Sequence, residues 1–146
     1  MTRIREEITI RAPADRVWEA VHVDLDRVPV WAGYLRRAEA LEGVPGPNWR
    51  VRYDLELPGG FASSLVLLHT VWDRPRRCAG RFDGGPLEGA WSYTYAGVDG
   101  RTHLLYEMDY RLGGLMRLAG GMMRDRYAEG IKQGMGSLKR YLEEGR

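Results

Sequence analysis

The stretch GAWSYTYAGVDGRTHLLYEMDYRL, residues 89–112, decides the architecture. Trp91, Tyr93 and Tyr95 alternate with Ala90, Ser92 and Thr94, and alternate residues of a β-strand share one face. Leu104, Tyr106, Met108 and Tyr110 alternate in the same way with Leu105, Glu107, Asp109 and Arg111. A two-residue turn at Asp99-Gly100 pairs Val98 with Arg101 and sets Tyr95 opposite Leu104, Tyr93 opposite Tyr106 and Trp91 opposite Met108. Each pair joins two residues of the apolar face, and a slip of one position would expose the aromatic set. Working back, a turn at Gly84-Gly85 pairs Leu87 with Phe82 and Trp91 with Cys78, on that same face.

Further strands read outward from this hairpin. In 49–57, Trp49, Val51, Tyr53, Leu55 and Leu57 oppose Arg50, Arg52, Asp54 and Glu56, the alternation of a half-buried strand. Residues 34–42 form a weaker strand, and Ile4, Ile8 and Ile10 mark a first one with a wet face. Glu6 falls on the isoleucine side of that strand and reads as a carboxylate reaching solvent or an arginine. Both faces of 61–72 are apolar. A two-residue turn in DRPR would put Leu65, Leu67, His69 and Val71 inside, whereas one at Gly59-Gly60 would put Val66 and Leu68 there. One loop must therefore be longer or a bulge must intervene; the odd-numbered set is preferred.

Helical signals flank the strands. APADRVWEAV, residues 12–21, has Pro13 and Asp15 near its start and an apolar stripe of Val17, Trp18, Ala20 and Val21, which predicts a short helix. Pro29 interrupts a second short helical piece. From Gly114 onward the pattern is helical. Tyr127, Ile131, Met135, Leu138, Tyr141 and Leu142 recur at spacings of three and four. An earlier stripe, Leu115, Leu118, Ala119 and Met122, is offset from it, so a break is expected at Gly120-Gly121. Gly130 and Gly134 lie within the later apolar face, where alanine would be the better helix former. Either the helix runs very close to the sheet there or its surface stays low over a hollow.

Composition narrows the function classes. The 146 residues fit a single domain, 1–146, and the 44% hydrophobic content with a formal charge of +2 reads as a soluble globular chain. The basic residues are arginines scattered among acids, apart from Lys132 and Lys139, which is no nucleic-acid footprint. The densest run, Arg74 to Arg77, falls at a turn and reads as solvated. The single cysteine excludes an intrachain disulfide framework. The opening MTRIREEITI is a charged alternating strand rather than an apolar leader, and no apolar run reaches bilayer length. The expected location is cytoplasmic, with no integral membrane segment.

The order of these elements resembles the START/Bet v 1-like superfamily, and within it the branch of polyketide cyclase/dehydrase-like and coenzyme Q-binding proteins. The residues that carry the resemblance are ITIRAPADRVW (8–18), VPVW (28–31), LEGAW (87–91), DGRT (99–102) leading to YEMDY (106–110), and the closing GSLKRYL (136–142). It covers nearly the whole chain. The implied fold is the α+β helix-grip: a curved seven-stranded antiparallel sheet wrapped around a long C-terminal helix, with two short helices after the first strand. The implied function is binding of a hydrophobic small molecule, such as a lipid, isoprenoid quinone or polyketide, in a cavity between sheet and helix. The expected wall comprises Tyr53, Leu65, His69, Phe82, Trp91, Tyr93, Tyr106, Met108 and Tyr110 from strands, and Met123, Tyr127 and Ile131 from the helix. Tyr95, near the turn, is expected to pack core.

Two other functions fit the same residues. A cyclase, aromatase or dehydratase would use inward tyrosine, serine or histidine groups to move protons. A protein-interaction module would use the groove or a sheet edge. No triad or catalytic pair can be assembled from the sequence, and no cofactor is expected. His22, His69 and His103 stand isolated along the chain, without ligand spacing to Cys78, so no metal site is expected either. GGPLEG, residues 84–89, lacks the ending of a phosphate loop and reads as a turn. The glycine-rich LGGLMRLAGG, residues 112–121, suits a lid over the cavity, or a patch in transient contact with a membrane or partner.

Overall fold

The computed structural model describes residues 1–145, with the backbone alone for Leu115 and Met116. Its strands are β1 (Thr2–Ile10), β2 (Leu35–Glu42), β3 (Arg50–Leu57), β4 (Phe61–Asp73), β5 (Arg77–Phe82), β6 (Leu87–Val98) and β7 (Arg101–Leu112). They form one antiparallel sheet in the order β1-β7-β6-β5-β4-β3-β2. The chain crosses from edge to edge through a helical connection. Helix α1 (Ala14–Trp18) runs into a π turn (Glu19–Val23), and a 3₁₀ turn (Leu25–Arg27) runs into α2 (Val28–Trp31). After β7 a 3₁₀ segment (Gly114–Ala119) leads into α3 (Gly120–Glu144), whose 25 residues pack across β1, β3 and α2. This is the helix-grip arrangement, and no described helix is long and apolar enough to cross a membrane.

The central hairpin has the register expected from its sequence: Tyr95 faces Leu104, Tyr93 faces Tyr106 and Trp91 faces Met108. Asp99 and Gly100 both adopt positive φ, 51° and 76°, the conformation of the tight turn that matches strand twist. The β5–β6 register differs from expectation by two residues. Cys78 faces Tyr93, and Gly80 faces Trp91. The chain does not turn back at Gly84-Gly85, because the Asp83 amide donates to Val66 O at 2.8 Å and the Val66 amide to Gly84 O at 3.0 Å. Those bonds hold the segment on β4 and lengthen the loop. An even shift leaves every face unchanged.

Strand β4 turns Leu65, Leu67 and His69 inward, and it needs two longer loops and a bulge to do so. Leu57 pairs with Phe61 and Asp73 with Arg77 across loops of three residues rather than two, and the register slips between His69 and Val71. The bulge hands the inner face to Trp72, which pairs with Cys78. Val71, expected inside, is 39% exposed.

Pro13 precedes α1 in extended conformation and Asp15 lies in its first turn, as the positive helix end favours. Pro29 does not interrupt a helix; it occupies the first turn of α2, where a missing N–H costs nothing. Met123, Tyr127, Gly130, Gly134, Met135 and Leu138 form the buried face of α3. Two members of the earlier apolar stripe are exposed, Leu118 by 89% and Met122 by 45%, Ala119 packs partly buried against the core, and the side chain of Leu115 lies outside the described residues. Three-residue winding before Gly120 turns Leu118 off the seam expected from a 3.6-residue period, whereas Met122 lies on the outer side of α3 itself. The basic turn is neutralised within the fold. Arg74 donates to Asp15 and Glu19, each at 2.7 Å, and Arg76 pairs with Asp73 at 2.9 Å.

Candidate functional site

The concave face of the sheet and the inner face of α3 do not close on each other everywhere. A cavity of about 110 Å³ remains between them. Strand residues Tyr53, Leu65, Phe82, Tyr93, Tyr106 and Met108 line it, as do Tyr127 and Ile131 of α3. These are eight of the twelve residues expected from the sequence. The other four lie elsewhere. Trp91, 2% exposed, points inward but is covered by Tyr93 and His69, with ring centroids at 5.9 and 5.1 Å. His69 Nδ1 donates to the Trp49 carbonyl oxygen at 2.9 Å, and that bond holds its ring away from the cavity. Tyr110 packs on Tyr127 at 6.0 Å, beyond the cavity's end. Met123 is fully enclosed a turn earlier on α3.

A third wall was not expected. Val21, Val28, Trp31 and Tyr34 reach the cavity from the helical connection and the turn after it. Tyr34 settles the question raised by the helix glycines. A β-carbon at Gly134 would lie 2.5 Å from Tyr34 Cε1, and one at Gly130 would lie 3.4 Å from Leu57 Cδ2 and 3.7 Å from Tyr34 Cγ. The low helix surface is thus a seat for the Tyr34 ring, with close packing against β3 beside it. A Gly-x-x-x-Gly spacing facing a lone tyrosine was the only sequence signal for this contact, and it names no partner.

The wall is apolar except for phenols. Among the described residues the hydroxyls of Tyr95, Tyr106, Tyr127 and Tyr141 have side-chain hydrogen-bond partners; those of Tyr34, Tyr53 and Tyr93 in the lining have none, nor does that of Tyr110 outside it. The rings of Tyr34, Tyr53 and Tyr93 are only half-buried, yet protein surrounds them, so their accessible surface faces the cavity. Burial raises the phenol of Tyr34 to about 12. Burial, then neighbouring phenols and, for Tyr53, Cys78, raises those of Tyr53, Tyr93 and Tyr106 further. Each is a neutral O–H at physiological pH, a donor and not a base.

Behind Tyr93 lies a second cluster. His22 sits on the π turn, its Nε2 2.7 Å from Tyr95 Oη. One ring nitrogen each of His22 and His69, together with Cys78 Sγ, lie within 4.8 Å of one another. The expected isolation of the histidines therefore fails for His22 and His69. His103 lies apart from them on the surface, beside Glu7 and Thr9. The β4 bulge and the π turn bring the three groups together, and neither irregularity has a motif in the sequence. Burial, then His69 and Arg74, holds His22 well below the ordinary imidazole value. Burial also lowers His69, against the pull of the Trp49 carbonyl, and raises the Cys78 thiol to about 12.

Residues 1–143 match the family described as polyketide cyclase / dehydrase and lipid transport. No curated protein matches the chain. Among solved structures, the protein TTHA0849 from Thermus thermophilus superposes with a TM-score of 0.82 at 16% identity over 97% of each chain. A START superfamily protein from Mycobacterium smegmatis gives 0.79 at 14% identity over 99% of each. The Zhui aromatase/cyclase from Streptomyces sp. R1128 gives 0.74 at 19%, over 99% of this chain and 97% of that one. At such identities the likeness is one of fold.

Proposed function

The chain belongs to the polyketide cyclase/dehydrase and lipid transport family, and we propose that it binds a hydrophobic small molecule bearing a carbonyl or similar acceptor oxygen without reacting with it. The observation that carries this reading is the trio of unpartnered hydroxyls on Tyr34, Tyr53 and Tyr93, set in an otherwise apolar wall. A few placed polar groups in a hydrophobic pocket orient a ligand and select it. Neutral phenols offer donors, so the complementary group is an acceptor.

Size narrows the ligand. An apolar cavity of roughly 150 Å³ takes up benzene, so one of about 110 Å³ admits a single ring-sized head only as its wall yields slightly. A longer lipid, quinone or polyketide would displace Tyr34 or Ile131, both half-buried members of the wall. Binding is favoured over cyclisation because proton abstraction needs a base within reach. Among the described residues, the lining holds no carboxylate, imidazole or amine.

Acetophenone and its carbon isostere α-methylstyrene test the reading by calorimetric titration. They share shape and differ in one acceptor oxygen. One neutral hydrogen bond is worth about 0.5–1.5 kcal/mol, so acetophenone should bind roughly 2- to 12-fold tighter. The Tyr34→Phe/Tyr53→Phe/Tyr93→Phe variant should bind both equally. Equal binding by the native chain, or a preference that survives in the folded triple variant, would refute it. An enzyme, in contrast, would lose turnover and keep binding in Tyr93→Phe.

A further inference from the structure

We propose that His22, His69 and Cys78 form a buried three-coordinate site for a soft monovalent ion, copper(I). The three donors come from the π turn and from the neighbouring strands β4 and β5, and converge to within 4.8 Å. They are 3%, 1% and 0% exposed, so no water completes the shell. Metal–nitrogen and metal–sulfur bonds of about 2.0–2.3 Å place trigonal donors roughly 3.5 Å apart. The side chains close by about 1 Å as the ion enters.

The surroundings fit such a ligand set in three ways. Each imidazole is held through one ring nitrogen, His69 Nδ1 by the Trp49 carbonyl at 2.9 Å and His22 Nε2 by Tyr95 at 2.7 Å, which leaves the other nitrogen of each ring to ligate. An ion taken by His69 Nε2 and His22 Nδ1 leaves both bonds intact, and outer partners of this kind fix a metal-binding imidazole. The π turn that carries His22 is a local distortion often found at functional sites. Finally, the donors are soft, and thiolate with imidazole selects copper(I) or zinc over hard cations.

Charge decides between those two ions. Rings of Trp18, Trp49, Trp72, Trp91, Tyr93 and Tyr95 enclose the cluster. Only Trp72 and Tyr93 are less than fully buried. Copper(I) on one thiolate and two neutral imidazoles is electrically neutral, whereas zinc(II) would leave a net positive charge in this apolar box. No carboxylate lies among the converging donors. Binding replaces the S–H bond of Cys78 by an S–Cu bond and releases one proton to solvent, with no change in oxidation state.

The test is anaerobic titration of the full chain with copper(I) against bathocuproine disulfonate, followed by X-ray absorption at the copper edge. One equivalent should be retained with one sulfur and two nitrogen donors. Cys78→Ser, checked for folding by circular dichroism, should hold copper at least about 100-fold more weakly, and His103→Ala should match the native chain. Retention no better than that of Cys78→Ser, a copper shell without sulfur, or preferential uptake of zinc(II) would each overturn the proposal. The native chain's sulfur signal decides the matter even if Cys78→Ser does not fold. Acetophenone binding reads the other cavity, so either idea can fail alone.

Discussion

Two glycines of one helix, Gly134 and Gly136, separate the seat of Tyr34 from ordinary helix energetics. Alanine in place of glycine stabilises a helix interior by about 0.8–1.0 kcal/mol. At Gly136 the added methyl meets only Arg140 Nη1, at 3.7 Å, so Gly136→Ala should gain most of that. A chain of this size then melts roughly 3 °C higher. At Gly134 the methyl would lie 2.5 Å from Tyr34 Cε1, 3.2 Å from its hydroxyl and 3.3 Å from Cζ. Ordinary contact needs about 3.5–4.0 Å, so the ring must move by about 1 Å. The free direction is the cavity. Overpacking of this kind costs about 1–3 kcal/mol, which outweighs the helix gain. Urea denaturation of the two variants should therefore differ by about 1–3 kcal/mol, with Gly134→Ala the weaker. Acetophenone affinity should fall in Gly134→Ala alone, because the displaced ring occupies the cavity. In a Tyr34→Ala background the penalty should vanish, the coupling expected of residues in contact. Equal stabilisation by both alanines, with affinity unchanged, would refute the contact and the wall built on it.

Other consequences of the packing are open to measurement. At Gly80 a β-carbon would lie 1.8 Å from the Leu68 carbonyl oxygen and 2.8 Å from Trp91 Cζ2. Backbone cannot swing aside, so Gly80→Ala should cost at least the ~3 kcal/mol upper end of overpacking, read as loss of a cooperative urea transition. Thr102, fully buried, donates to the Ala12 carbonyl at 2.7 Å. Thr102→Val orphans that acceptor and should destabilise by about 1–3 kcal/mol in the same assay. Glu143 is held down to about 2 by Lys139 at 2.6 Å, then by the Arg11 amide and guanidinium. A carboxylate with a depressed folded value stabilises above its unfolded value of 4.5, and that contribution is lost as pH falls towards 2. The urea midpoint of Glu143→Gln should lie below the native one at pH 7 and converge with it near pH 2; a constant gap would contradict the pairing.

What was legible in the sequence, and what was not, follows from where periodicity exists. The β6–β7 hairpin was readable because alternate aromatics and the Asp99-Gly100 turn specify one register, and the structure has it. The β5–β6 pairing kept its faces but slipped by two, since Asp83 and Gly84 stay on β4 through backbone bonds that leave no side-chain pattern. The strand and helix walls of the cavity were legible as inward faces. Depth along those faces was not, so Trp91 and Met123 were placed at the surface of the hollow when each lies behind it. The wall from Val28, Trp31 and Tyr34 escaped because pieces of three to five residues are too short to show a period. Convergence of His22, His69 and Cys78 depends on a bulge and a π turn, both set by tertiary packing.

The most direct test of ligand binding is a crystal structure of the native chain soaked with 4-bromoacetophenone. The anomalous bromine peak should fall between the sheet and α3, with the carbonyl oxygen about 2.7–2.8 Å from a hydroxyl of Tyr34, Tyr53 or Tyr93. Bromine found only at the surface, with those rings interlocked around a filled core, would contradict the claim.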